Sequence, residues 1–259
     1  MPDLFLEIRA HDDDEGTTPA LPLCEEDALQ VLRESEIIAS KLIPWGSNYS
    51  FAVALEMPDG KEHLAIYKPR SGEAPLYDFP DGTLYLRETA AYVLSKQLNW
   101  NFVPPTVIRD GPHGIGSLQI YVEPFPESQE NNARFWESCN LEVERLVLFD
   151  YVSNNADRKL GHCLRDYSGK IWGIDHGLTF NQYPKMRTVL WQFLGERISP
   201  ALIPDLERLL ANKYDVRNGL KPFISIPELD ALFARTERLV ETRQHPVLNP
   251  RRNIPYGWW

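Results

Sequence analysis

Residues 141–177 read LEVERLVLFDYVSNNADRKLGHCLRDYSGKIWGIDHG, and the order of patterns inside them decides the fold. Apolar spacing over 141–155 predicts a helix. The loop ADRKLGH at 156–162 follows, dense in side chains that can ionise or ligate. CLRDY, Ser168-Gly169 and KIWGID then read as a tight hairpin. Its last strand releases Asp175 into the turn Asp175-His176-Gly177.

Upstream, the pattern changes to strands. SFAVALEM at 50–57 and HLAIYKP at 63–69 flank a Pro-Asp-Gly turn and read as a β-hairpin, with Leu64, Ile66 and Lys68 on one side. LYLRETAAYVLSKQL at 84–98 has a helical period, and Pro104-Pro105 stop it. TVIRDG and SLQIYVEPFP give two further strands. EEDALQVLRESEIIAS at 25–40 reads as a short amphipathic helix. Downstream, helical patterns lie around 188–213 and 227–243. Strands with one helix followed by helices with one hairpin make an α+β chain. The expected divisions are an acidic arm at 1–24, a strand-rich lobe at 25–126, a mainly helical lobe at 127–244 and an extended tail at 245–259.

Composition narrows the function. The 259 residues suit one or two domains with a sizeable core. Thirty-seven acidic against 27 basic residues give a net charge of -10, which argues against nucleic acid as a partner. No apolar run is long enough for a transmembrane helix. The start, MPDLFLEIRAHDDDEG, lacks the basic and apolar stretches of a secretory signal. Cys24, Cys139 and Cys163 are few and widely spaced, which fits a reducing cytoplasm rather than a disulfide scaffold. GxSxG, GxGxxG and GxxxxGK[ST] are absent. His63, His113 and His245 are scattered and read as surface residues, and Cys163 beside His162 lacks the further ligands a zinc site needs.

The remaining polar residues form an ordered set. Lys68 lies on a strand, and Glu88 follows on a helix beside Ala91 and Ser95. Next come Asp157 and His162 in the polar loop, then Asp175 after the hairpin. Phosphoryl transfer needs groups in this order: a lysine for phosphate charge, a glutamate to hold it, an aspartate to orient the hydroxyl, and two metal ligands.

The chain resembles the phosphatidylinositol 3-/4-kinase branch of the protein-kinase-like superfamily, nearest its type II phosphatidylinositol 4-kinases and uncharacterised bacterial relatives. The likeness rests on AIYKP at 65–69, RETAAY at 87–92, VPPT at 103–106, FDYVSNNADRKLGH at 149–162 and GIDHG at 173–177, and spans residues 45 to 180. It implies a bilobal kinase fold using ATP with Mg2+ or Mn2+. Lys68 would bind phosphate with Glu88 as partner. Asp157 would be the catalytic aspartate, with Arg158 and Lys159 beside it. Asp175 would be the main metal ligand, and His162 stands where the family usually has a metal-binding asparagine. Imidazole suits Mn2+ better than Mg2+. Ser47 and Asn48 fall in the phosphate-covering loop after the lone Gly46, and Glu123 falls in the adenine hinge 122–124. The acceptor is a hydroxyl on a lipid headgroup, protein or small molecule. A pseudokinase acting as a regulatory module and a nucleotidyl transferase are the alternatives.

Overall fold

The computed structural model describes residues 23–125, 134–249 and 251–257. Most of the acidic arm, Trp258 and Trp259 lie outside these. The chain is α+β and divides into two compact units: one runs through Thr89 and includes Pro104–Tyr121, the other comprises Ala90–Val103 and the chain from Val122 onward.

The first unit is built on an antiparallel five-stranded sheet in the order β1-β2-β3-β5-β4. The strands are β1 (Glu36–Leu42), β2 (Phe51–Glu56), β3 (Glu62–Pro69), β4 (Thr106–Gly111) and β5 (Gly114–Ile120). Helix α1 is Glu25–Glu34, shorter than the sequence suggests, because residues 36–42 are an edge strand. Val31 and Leu32 of α1 complete a core with Val53, Leu55, Ala65, Tyr67, Val107 and Leu118. Arg109 Nη1 donates to the carbonyls of Leu32 (3.0 Å) and Ser35 (2.9 Å), which ties the end of the helix to β4.

Burial alternates along β3: His63, Ala65 and Tyr67 face the core, while Leu64, Ile66 and Lys68 lie on the half-buried face. His63 is therefore buried, against the surface position expected for it. Lys68 pairs in register with Ser117 of β5. At the next position the strands pass so closely that a Cβ on Gly116 would sit 2.4 Å from the Lys68 carbonyl oxygen, so only glycine fits.

Helix α2 (Leu84–Gln97) starts in the first unit and ends in the second. Its far end is fixed within the second unit. Trp100 Nε1 donates to Asp205 (2.8 Å), and Arg208 donates to the Leu98 carbonyl (2.8 Å). Ser95 Oγ accepts from the backbone N–H groups of Phe102 and Val103.

The second unit surrounds α3 (Leu141–Ser153), whose side chains are buried on nearly every side. A helix buried all round reads as continuously apolar, and the polar exceptions must be satisfied internally. Asn140 caps its start by accepting from Val143 N–H (2.9 Å), and Asn154 ends it in the left-handed region at φ 54. The hairpin β6 (Cys163–Arg165) and β7 (Ile171–Gly173) turns on Asp166, whose Oδ1 accepts from Ser168 and Lys170 N–H groups. Helices α4 (Ile203–Ala211), α5 (Lys213–Leu220) and α6 (Ile226–Thr242) follow. The helical pattern around 188–213 thus yields a helix only from Ile203. Residues 188–202 are held by irregular contacts such as the Arg158–Thr188 bridge and the Thr188 hydroxyl accepting from Leu190 N–H (3.0 Å). The surface reading also fails for His245. It is buried, with Nε2 3.0 Å from Glu144 on the central helix.

Candidate functional site

In the first unit, Lys68 Nζ lies 2.5 Å from Glu88 Oε1. The glutamate is sealed at 4% side-chain exposure, while the lysine keeps 25%. Glu88 is positioned from α2, next to Arg87, which is itself buried with its guanidinium over the Phe79 ring at 5.0 Å. A buried carboxylate is costly without a cation, so the pair fixes the lysine head, while the side chain as a whole keeps some contact with solvent. The loop between β1 and β2 holds Ser47 and Asn48. Ser47 is exposed. Asn48 Oδ1 accepts from Ala74 N–H (2.8 Å), and Tyr49 N–H donates to the Gly72 carbonyl (2.9 Å), which pins this loop to the segment after β3. Gly46 takes φ 114, a turn that suits glycine. Glu123 is exposed on an irregular segment just past the end of the first unit.

In the second unit, Asp157, Lys159, His162 and Asp175 form one cluster. Lys159 Nζ is 3.0 Å from Asp157 Oδ2. The His162 ring makes two contacts. Nδ1 lies 2.9 Å from the Asp157 carbonyl oxygen, which can only accept, so Nδ1 carries the proton. Nε2 then faces Asp175 Oδ2 at 3.2 Å. In the neutral ring these are two facing acceptors, an arrangement that suits a cation between them. Asp175 leaves β7 in the left-handed region at φ 58, a backbone state uncommon for residues with a Cβ and one that gathers at functional sites. Its side chain is 46% exposed.

Electrostatics separate the aspartate from its neighbours. Burial pushes the Asp157 carboxyl above its ordinary value; the Lys159 ammonium and His162 pull it back, and Asp175 raises it further. Its backbone N–H donates to Asn155 Oδ1 (2.9 Å), which sets the loop's entry.

Arg158 behaves differently from its position in the sequence motif. The side chain is fully buried and bonded to Asp150 through two contacts of 2.8 Å. Burial opposes an arginine's charge, but Asp150 outweighs that and leaves the pKa raised. The guanidinium is sealed from solvent, so the catalytic place expected for Arg158 is not open to a ligand in this structure. The partners Asp150, Asn155 and His176 were missed by sequence reasoning. A lone aspartate inside the apolar helix 141–153 was the available signal, since such a charge demands a buried partner.

Cys163 is buried, and burial pushes its thiol up to about 12. A buried thiol held protonated is a poor nucleophile. Among the described residues, no group of three or more His, Cys, Asp or Glu side chains could hold a metal ion by itself. His162 and Asp175 supply a pair, which suits a cation that draws its other ligands from phosphate oxygens and water. Among the described residues, no helix is long and apolar enough to cross a membrane.

No protein-family profile matches the chain. Among solved structures, hydra Fam20 with sugar is similar over 83% of this chain and 87% of its own, with a TM-score of 0.57 at 14% identity. The Golgi casein kinase with Mn/ADP bound is similar over 84% and 74%, with a TM-score of 0.52 at 13% identity. These likenesses give the chain a protein-kinase-like fold. In sequence, it is 34% identical over 265 residues to protein Rv2133c of Mycobacterium tuberculosis, covering 89% of this chain and 95% of that protein. The chain belongs to the family of Rv2133c.

Proposed function

We propose that the protein is an ATP-dependent phosphotransferase of the kinase type, moving the γ-phosphoryl group to a hydroxyl. The observation that carries this reading is the cluster of Asp157, Lys159, His162 and Asp175, gathered from a loop and a hairpin end around one pair of facing metal-type acceptors. A kinase with the same fold was solved with Mn/ADP, which supports nucleotide and divalent cation as the ligands sought here.

The roles follow from the chemistry of each group. Lys68, held by Glu88, neutralises phosphate charge. Asp175 and His162 would hold Mn2+ or Mg2+, with the imidazole favouring Mn2+. A bound divalent cation supplies charge neutralisation on the phosphates. Asp157 orients the acceptor hydroxyl, and its raised affinity for a proton suits it to accept one as the hydroxyl attacks. Lys159 keeps Asp157 in place and brings positive charge beside it. Ser47, through its exposed position in the β1–β2 loop, and Glu123, on the segment past the first unit, are the further nucleotide-contacting positions.

The finer arrangement is phosphatidylinositol 3-/4-kinase-like in the order of its residues. Its acceptor differs. Residues 178–190 carry two basic side chains, Lys185 and Arg187, and Arg187 lies over the Tyr256 ring at 4.6 Å. Together with the net charge of -10, this favours a protein or metabolite hydroxyl over an inositol phosphate.

The test is purified protein with γ-labelled ATP and either Mn2+ or Mg2+, followed by mass analysis of labelled products. Transfer of label, lost by orders of magnitude in Asp175→Ala and Asp157→Ala, is expected. Full transfer by Asp175→Ala refutes the assignment. The added mass distinguishes a phosphoryl from a nucleotidyl group, and binding without transfer under either metal favours a regulatory nucleotide-binding module.

A further inference from the structure

Every nitrogen of the Arg158 guanidinium is engaged. Nε and Nη2 donate to the two carboxylate oxygens of Asp150, both at 2.8 Å. Nη2 also donates to His176 Nε2 at 2.8 Å, since a guanidinium can only donate. Nη1 donates to two backbone carbonyls, those of His162 (3.0 Å) and Ile174 (3.1 Å).

The identity of those carbonyls matters. One belongs to His162, and the other to the residue immediately before Asp175. The same His162 carbonyl accepts from the Ile174 N–H at 3.0 Å. One arginine nitrogen therefore clamps together the two backbones that carry the facing Nε2 and Oδ2. On the far side, Asp150 Oδ1 accepts from Asn155 Nδ2 (2.9 Å), and Asn155 Oδ1 accepts from Asp157 N–H (2.9 Å). The buried network reaches all three candidate residues without meeting solvent.

We propose that Arg158, oriented by Asp150, is the positioning residue that sets the separation of His162 and Asp175, and thereby the affinity of that pair for a divalent cation. The cation rests on the phosphotransferase reading; the positioning of the His162 ring does not. Arginine is required because its planar fork reaches a carboxylate, an imidazole and two carbonyls in fixed directions, whereas an ammonium is a single point. The rival account is that the ion pair merely holds the fold.

Two variants of the full chain separate these accounts. Arg158→Lys keeps the charge and loses the fork. Asp150→Asn combined with Arg158→Met removes both buried charges at once, so neither is left uncompensated. Three readouts apply: the folded state by circular dichroism, Mn2+ affinity by electron paramagnetic resonance with ADP present, and the tautomer of the His162 ring by 15N nuclear magnetic resonance.

Both variants are expected to fold. Mn2+ should bind about 10–100-fold more weakly, as when partners behind a metal ligand are removed. The single Nδ1–H tautomer of His162 in the unaltered protein should become a mixture. A folded variant with unaltered Mn2+ affinity and an unaltered His162 spectrum overturns the proposal. Loss of the fold in both variants overturns it too, because the hub would then serve the fold alone. So does a mixed tautomer in the unaltered protein, which contradicts the geometry itself. If the unaltered protein binds no Mn2+ with ADP, the phosphotransferase reading fails instead, and the His162 spectrum alone decides the positioning.

Discussion

Removing the Asp150 carboxylate gives the most demanding test of how the second unit is held together. In Asp150→Ala the Arg158 guanidinium stays buried and charged, but loses two contacts of 2.8 Å. Neither side chain of the pair is exposed to solvent, so water cannot replace what is removed. Breaking a buried pair by deleting one member costs about 3–5 kcal/mol, because the remaining charge is uncompensated. Asn155 Nδ2 also loses its acceptor, which adds about 1 kcal/mol. The three other acceptors of Arg158 remain, at His162, Ile174 and His176, and they keep the total near the lower end, about 4 kcal/mol. At roughly 2–4 °C per kcal/mol for a chain of this size, the melting temperature of the helical unit should fall by about 8–16 °C. Urea unfolding followed by tryptophan fluorescence measures the loss, with Trp136 as a buried reporter. Asp230→Ala is the control: its partner Arg217 is 2.7 Å away, but their side chains are 60% and 37% exposed, so it should cost less than about 1 kcal/mol. A loss in Asp150→Ala no larger than in this control would refute the reasoning.

Asp157→Asn should abolish transfer while raising stability at neutral pH, because the buried group no longer carries charge. The sign follows from the raised folded pKa. As pH climbs from the ordinary carboxylate range through that raised value, the unfolded chain gives up its proton first, and stability falls. Subtracting the pH–stability curve of the variant from that of the unaltered protein should isolate this decline; a difference that rises over the same window contradicts it. His162→Asn should shift the metal preference of transfer from Mn2+ toward Mg2+, read as the ratio of initial rates with the two ions, and an unchanged ratio would remove His162 from the metal site. Iodoacetamide at pH 8 should label Cys24 and Cys139, which are exposed, and leave Cys163 untouched with its thiol near 12; peptide mass mapping reads the result.

The sequence carried some of this plainly and hid the rest for physical reasons. The β2–β3 hairpin is legible because β-prone runs flank a Pro-Asp-Gly turn. Strand β1 is not legible. As an edge strand its residues alternate between exposed and half-buried, so EIIASKL lacks a fully apolar face and reads as a continuation of the preceding helix. The segment before Ile203 has helical spacing but is committed to loop contacts, among them the pairing of Thr188 with Arg158. His245 looked like a surface residue in a proline-broken tail. It is buried where Glu144, on the inward side of the central helix, accepts from both His245 and the Ser199 N–H at 2.7 Å. Beyond it, Asn253 donates to the Met186 carbonyl (2.7 Å) and accepts from Thr188 N–H (3.0 Å). The pairing of Lys68 with Glu88 and the gathering of Asp157, His162 and Asp175 follow the order read in the sequence. Which of the neighbouring cations could touch a ligand was not legible there, because burial is a property of the folded chain.

That last distinction decides what each cation can do. Lys68, Arg158 and Lys159 are all basic, and all sit beside a carboxylate in space. Exposure divides them. The Lys68 side chain keeps a quarter of its surface and that of Lys159 about a third, so each retains contact with solvent. Arg158 keeps none, and withdrawing it to meet a ligand would strand Asp150 in the interior. Its donors instead go to two carbonyls of the backbone, where directional bonding fixes geometry. Lysine and arginine therefore differ by their own chemistry: the flexible point charges keep part of their surface in solvent, and the planar fork faces inward where several acceptors must be held at once.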